Sequence, residues 1–285
     1  MIDKIPMDAK QHAFLDHPVV SEGPMPPATD PVTGQPLPPP VDPVTGQPIP
    51  QNANATLKVE FEGGGKGVYK PLSGENPGLK AHNFYDDFYR NEVGAYHVDQ
   101  ALGFGRVPTT TAFNGSLGPG SIQAWSAGKA LDGGAAAYDV IQQQQMGVLD
   151  YILGNGDRHP ANWMTMADGG PAAIDNGMAF PNANAEAMRS DFIKNVANQP
   201  LNQTIVDAVK GVDQTALAQQ LKAAGISDAG IKGAMSRLNE IAGQGQISGS
   251  AWTQTNGGYF LSSDMTEISI GGAGSWQPSG FTPPP

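Results

Sequence analysis

Three polar side chains stand out by type and spacing: Asp157, Asn162 five residues on, and Asp175 beyond a Gly turn. They lie in residues 149–180, LDYILGNGDRHPANWMTMADGGPAAIDNGMAF, where an apolar helix end, a polar loop and two short apolar strands follow one another. A carboxylate, an amide at +5 and a second carboxylate across a hairpin are the groups needed to move a phosphoryl group from a nucleotide. The first Asp would orient or deprotonate the attacking hydroxyl, and the Asn and second Asp would hold the divalent ions that bridge the phosphates. Asp and Asn are common in Gly-rich loops, where they form Asx turns, so the pair alone would say little. Here a Gly-rich hairpin, Lys70, Glu92, a strand at 121–125, the Asp157–Asn162 loop and Asp175 arrive in that order.

The elements around these residues follow from periodicity. TLKVEF (56–61) alternates like a strand, EGGGKG turns the chain and GVYKP (67–71) returns it, which predicts a hairpin whose Gly turn offers backbone N–H groups to phosphates. Lys70, at the end of the second strand, is either a solvated strand-end lysine or the lysine that meets nucleotide phosphates. A helix is expected over 85–102, with Phe88, Glu92, Ala95, Tyr96 and Leu102 near one face. Glu92 is out of place on a core face: it is either a solvated edge residue or the partner of Lys70, an ion pair that such sites use. Strands are expected at about 107–113 and at SIQAW (121–125), and helices at 136–153, 185–197, 201–211, 215–225 and 227–243, the last with Ser227–Asp228 as its cap.

Composition excludes several classes. A net charge of −11 with no long Lys/Arg run disfavours bulk attraction to nucleic acid or an anionic bilayer. With no cysteine, neither a disulfide nor a thiolate metal site is available. No apolar run approaches the ~20 residues of a membrane span, and the first residues lack a signal-type apolar core. The expectation is a cytoplasmic protein or a component of a phage or other particle.

The ends differ from the middle. Residues 1–17 offer a short amphipathic turn or helix with Ile5, Phe14 and Leu15 as its apolar points. Residues 18–50 are Pro-rich and repeat DPVTGQPLP as DPVTGQPIP, which reads as an extended linker or as an arm docking on a partner. Residues 243–285 turn to Gly, Ser, Thr and Pro, with TEISI one possible strand. The organisation expected is an arm (1–55), a β-rich lobe (56–125), a helical lobe (126–243) and a tail (244–285).

GDRHPANWM (156–164) is similar to the GDRH-x-x-N loop of the phosphatidylinositol 3-/4-kinase superfamily. LDYILGN before it, AAIDNGMAFP (172–181) after it, NEVGAYHVDQALGFGRVPTT (91–110), GVYKP and GSIQAW most resemble the type II phosphatidylinositol 4-kinases and their bacterial relatives. The resemblance spans roughly 57–240 and implies an α+β, two-lobed, protein-kinase-like fold with ATP in the cleft. It implies that Lys70 contacts the phosphates with Glu92 beside it and that Asp157 is the catalytic-loop aspartate. It also implies that Asn162 and Asp175 hold Mg²⁺ or Mn²⁺ and that the segment Gln123 to Trp125 meets the adenine. Arg158 is expected to order the loop, and His159 to be either a hydrogen-bonded structural residue or a phosphate contact. The acceptor is a lipid or a protein hydroxyl: eukaryotic members carry a cysteine run for lipid anchoring that this chain lacks. Transfer of AMP instead of phosphate uses the same fold. The other class of reading is an assembly protein built on a retired kinase-like domain, with residues 18–50 and 244–285 docking on partners.

Overall fold

Alternating residues at 57–61 and 66–71 place Val59, Phe61 and Tyr69 on one face of a sheet and Lys58, Lys66 and Lys70 on the other. The computed structural model describes residues 5–26, 54–76, 87–130, 134–182 and 188–252. All lie in a unit made of 1–26 with 52–262, while a second unit, 27–51 with 263–285, falls outside the described residues. The described chain is α+β. It runs α1 (Ala9–Leu15), β1 (Val19–Pro24), β2 (Leu57–Phe61), β3 (Lys66–Pro71), α2 (Phe88–Leu102), β4 (Thr110–Gly115) and β5 (Gly118–Ala124). Then follow β6 (Lys129–Ala130), α3 (Val140–Leu153), β7 (Trp163–Thr165), β8 (Pro171–Ala173), α4 (Asp191–Val196), α5 (Gln203–Lys210), α6 (Gln214–Ala224) and α7 (Asp228–Gln244).

The first five strands form one sheet in the order β1-β2-β3-β5-β4, each pair antiparallel, and β6-β7-β8 form a second, small sheet. Two apolar cores result. Val59, Phe61, Tyr69 and Ile122 make a small one on the large sheet. The larger one joins α2 to α3 and the later helices, with Tyr96, Leu149, Trp163, Phe180, Phe192 and Leu238 among its members. Helix α2 buries twelve of its fifteen residues, so it is packed on several sides, which explains why a one-face reading of its sequence was too simple.

Caps fix the helix bounds. Asp139 and Gln142 make a reciprocal capping box at the start of α3, and Gly154, at φ 66°, ends it in a left-handed turn. Ser227 caps α7 by accepting from the Gly230 N–H, as its type and place suggest. Three expectations change. Residues 19–24, read as the start of a linker, form an edge strand because β2 offers them a ladder from Val19↔Phe61 to Pro24↔Leu57. The helix expected over 185–197 starts only at Asp191: Ser190 is its N-cap, so Met188 and Arg189 precede it in extended chain, and 183–187 lie outside the described residues. The tail expected from 244 is part of the fold as far as Trp252, since Ile247 and Trp252 are buried and Glu240 accepts hydrogen bonds from residues 248–251. The repeat at 30–50 and TEISI lie outside the described residues.

Candidate active site

The loop after α3 is built by local hydrogen bonds that its own residues dictate. Asn155 accepts from the Asp157 N–H at 2.8 Å through its side-chain oxygen, an Asx turn that fixes the backbone entering Asp157. Gly156 N–H donates to Met178 O and Phe180 N–H to Leu153 O, so the loop lies against the segment that follows Asp175. Ile174 N–H donates to Asn162 O at 3.1 Å, which brings Asn162 beside Asp175.

Arg158 holds these pieces together from within. It is 1% exposed. Its Nε lies 3.0 Å from Asp150 Oδ1, Nη1 donates to the carbonyls of Asn162 and Ile174, and Nη2 donates to Asn176 Oδ1. Ser190 Oγ donates to the other Asp150 oxygen at 2.7 Å. A planar guanidinium is suited to this because its donors fan out in fixed directions. This is the loop-ordering role its sequence position suggests.

The opposite wall comes from β3 and α2. Lys70 Nζ lies 2.5 Å from Glu92 Oε1 and 2.7 Å from Asp175 Oδ1. Glu92 is 2% exposed, and its other oxygen accepts from the Asn176 N–H at 3.0 Å. Both Glu92 oxygens are thus engaged, one by Lys70 and one by Asn176. Gly120, on β5 opposite Pro71, keeps this strand pair close: a Cβ there would stand 2.3 Å from Lys70 O. Asp175 sits at φ 54°, a left-handed conformation that Asp tolerates at some cost and that is found most often where a site demands it.

The charges are pushed apart. Burial works to lower the Lys70 ammonium, but Asp175 and Glu92 hold it above the usual lysine range. Lys70 holds the Asp175 carboxyl below the usual carboxylate range. Burial, with His159 opposing it and the Asp175 charge adding to it, pushes Asp157 up to about 6. Two carboxyls shifted in opposite directions is the pattern of a site with one base and one fixed anion. His159 Nε2 lies 3.7 Å from Asp157 Oδ2, and its Nδ1 accepts from the Ala161 N–H, so the ring both caps the 160–162 turn and faces the carboxyl.

Asn162 and Asp175 fit a hard divalent ion by donor chemistry. Asn162 Nδ2 is turned to Asp157 O at 2.7 Å, which leaves the side-chain oxygen as the atom offered outward, and the Asp175 side chain is 52% exposed. Among the described residues there is no group of three or more His, Cys, Asp and Glu side chains suited to a metal, so an ion here would need oxygens from a ligand to complete its shell.

The structure thus brings together Lys70, Glu92, Asp157, Asn162 and Asp175. Gln123 lies on the same face of the sheet as Lys70, by register, but its amide donates to Thr110 Oγ1 at 3.0 Å and is committed within the sheet. Trp125 follows β5; its N–H donates to Lys66 O and Lys58 Nζ stands 6.0 Å from its ring. The sequence reading missed Asp150, Asn155, Asn176 and Ser190. Asp150 left a signal, an acid in an otherwise apolar helix end eight residues before Arg158. Asn176 left a weaker one, beside Asp175.

Residues 127–227 match the family model of phosphatidylinositol 3- and 4-kinase. The chain is 28% identical over 178 residues to phosphatidylinositol 4-kinase gamma 3 of Arabidopsis thaliana, covering 50% of this chain and 31% of that one. It is 31% identical over 132 residues to phosphatidylinositol 4-kinase gamma 4 of Oryza sativa subsp. japonica (39% and 23% covered), and 27% identical over 183 residues to protein Rv2133c of Mycobacterium tuberculosis (51% and 64% covered). The chain thus spans less than two thirds of the length of each of these relatives. Among solved structures, the Helicobacter pylori proinflammatory kinase CtkA aligns with a TM-score of 0.44 at 15% identity, covering 75% of this chain and 95% of that one. The family match and the two plant relatives support a likeness to the phosphatidylinositol 3-/4-kinase superfamily.

Proposed function

We propose that the protein is an ATP-dependent phosphotransferase that uses Mg²⁺ or Mn²⁺ and acts on a lipid or protein hydroxyl. The observation that carries this reading is Lys70 held between Glu92 and Asp175 at 2.5 and 2.7 Å, with Asp157 and Asn162 beside Asp175. Phosphoryl transfer asks mainly for positioning and for neutralising charge. Lys70 would exchange part of its pairing with Asp175 for the nucleotide phosphates, kept in place by Glu92. The oxygens of Asn162 and Asp175 would hold the divalent ion, which supplies neutralisation of the phosphate charge. Asp157, raised toward neutrality, would align the acceptor hydroxyl and take its proton. The acceptor oxygen then bonds to the γ-phosphorus as the bond to the β-phosphate oxygen breaks, and ADP leaves.

The test is labelling with γ- and α-labelled ATP, offered phosphatidylinositol vesicles and protein pools in parallel. Transfer of the γ label by the wild type, lost in Asp157→Ala, supports the reading, and the labelled pool names the acceptor. Transfer of the α label would mean AMP transfer. No transfer to either pool, or full transfer by Asp157→Ala, would overturn it.

A further inference from the structure

Helix α1 precedes the part of the chain that matches the family model, yet it is fastened to the element that carries Glu92. Asp8 caps α1 in a reciprocal box with Gln11: the Gln11 N–H donates to Asp8 Oδ1 and the Asp8 N–H to Gln11 Oε1, each at 2.8 Å. The other Asp8 oxygen accepts from Tyr96 Oη of α2 at 2.8 Å. Gln11 is wholly buried, and its remaining polar atom, Nε2, donates to Thr110 O of β4 at 2.7 Å. Lys10 Nζ donates to Gln100 Oε1 one turn further along α2. Each polar end of this pair is thus used once, on α1 itself, on α2 or on the sheet.

Apolar contacts repeat the pattern. Phe14 meets Phe61 edge-on at 5.5 Å and, with Leu15, packs on the small core, whereas Ile5 packs on the large one. Strand β1 then adds to β2, and Glu22 accepts from the Ser116 N–H at the β4–β5 turn. Residues 5–24 therefore lie across both cores and bind α2 to the sheet. Glu92, Tyr96 and Gln100 recur every four residues along α2, so the turns held by α1 follow directly on the turn that reaches Lys70.

We propose that Asp8 and Gln11 are positioning residues: through Tyr96 and Thr110 they hold α2 at the distance from β3 at which Glu92 pairs with Lys70. The proposal rests on the phosphotransferase reading only for its effect on turnover. Its effect on Lys70 is a property of the fold and is measured without ATP. An ammonium clamped between two carboxylates is shielded from acylating reagents, while one that loses the Glu92 side of the clamp is freer to meet them.

The experiment measures acetylation of Lys70 by N-hydroxysuccinimidyl acetate, followed by peptide mass spectrometry, in the full chain. The variants are Asp8→Ala, Tyr96→Phe and the conservative Asp8→Asn, with Glu92→Gln as the positive control. Tyr96→Phe leaves the capping box intact and removes only the tie to α2, so it decides the matter if Asp8→Ala fails to fold. The expected result is a rate up to about tenfold higher in Asp8→Ala and Tyr96→Phe, with Asp8→Asn restored to wild type. In a turnover assay the same two variants would lose kcat while Asp8→Asn retains it. A Lys70 rate unchanged in folded Tyr96→Phe and Asp8→Ala, while Glu92→Gln raises it, would overturn the proposal. If the wild type shows no turnover, the phosphotransferase reading fails and the Lys70 rates still decide this one.

Discussion

Arg158 and Asp150 are fully buried and meet at 3.0 Å, so the charge of each depends on the other. Removing one partner of such a pair strands the other charge away from water, a larger loss than the pair's net worth. Arg158→Met should therefore cost about 3–5 kcal/mol in urea unfolding. Combining it with Asp150→Asn should cost clearly less than the sum of the two single changes, because they share one interaction. Additive losses would show that the two side chains are not coupled. Asp99 makes a second case. Burial raises its carboxyl to about 6 although the Arg106 N–H donates to it at 2.9 Å. A folded value above the unfolded one means that the native state binds the extra proton. The stabilisation from that proton is present below about pH 4 and is lost as pH rises through about 6, a change of up to about 3 kcal/mol. Asp99→Asn should remove this slope from unfolding midpoints measured between pH 4 and 7, and an unchanged slope would assign it to other groups.

Strand β5 shows how an element sets the site. Gly120 lets β5 approach the backbone of Lys70 and Pro71, with a Cβ position 2.3 Å from Lys70 O and 2.8 Å from Pro71 Cα. Backbone cannot yield as a side chain tip can, so Gly120→Val should cost about 1–3 kcal/mol. It should also weaken nucleotide binding by moving Lys70, whereas Gly23→Ala, with open space around it, should change stability by no more than about 0.5 kcal/mol. Equal midpoints for Gly120→Val and wild type would refute the close-packing argument. At this scale the sequence was largely legible. The alternation at 56–71 and the apolar hairpin before Asp175 each carry a local period that tertiary packing did not override, and the helix bearing Glu92 forms where its sequence suggests although it is buried on several sides. What was not legible depended on partners distant in the chain. Residues 19–24, VVSEGP, follow Pro18 and end in Gly and Pro, and become a strand only because β2 lies beside them. The Asp150–Arg158–Asn176 network needs three segments at once, and no spacing rule announces it.

For the whole molecule, the claim is that two walls close on one nucleotide: β3 with α2 on one side, and the loops carrying Asp157, Asn162 and Asp175 on the other. Among the described residues no helix is long and apolar enough to cross a membrane. A ligand that binds only the folded state stabilises it by about 2.7 kcal/mol at a hundredfold excess over Kd. ATP with Mg²⁺ should accordingly raise the melting temperature, and no shift would favour an assembly role for the domain. The most direct measurement is calorimetric titration of ATP into wild type and Asp175→Asn, each with Mn²⁺ and with EDTA. The expected result is tight binding by the wild type that depends on Mn²⁺, and in Asp175→Asn a weaker affinity that the ion no longer improves. Equal affinity in all four titrations, or no binding by the wild type, would contradict the account.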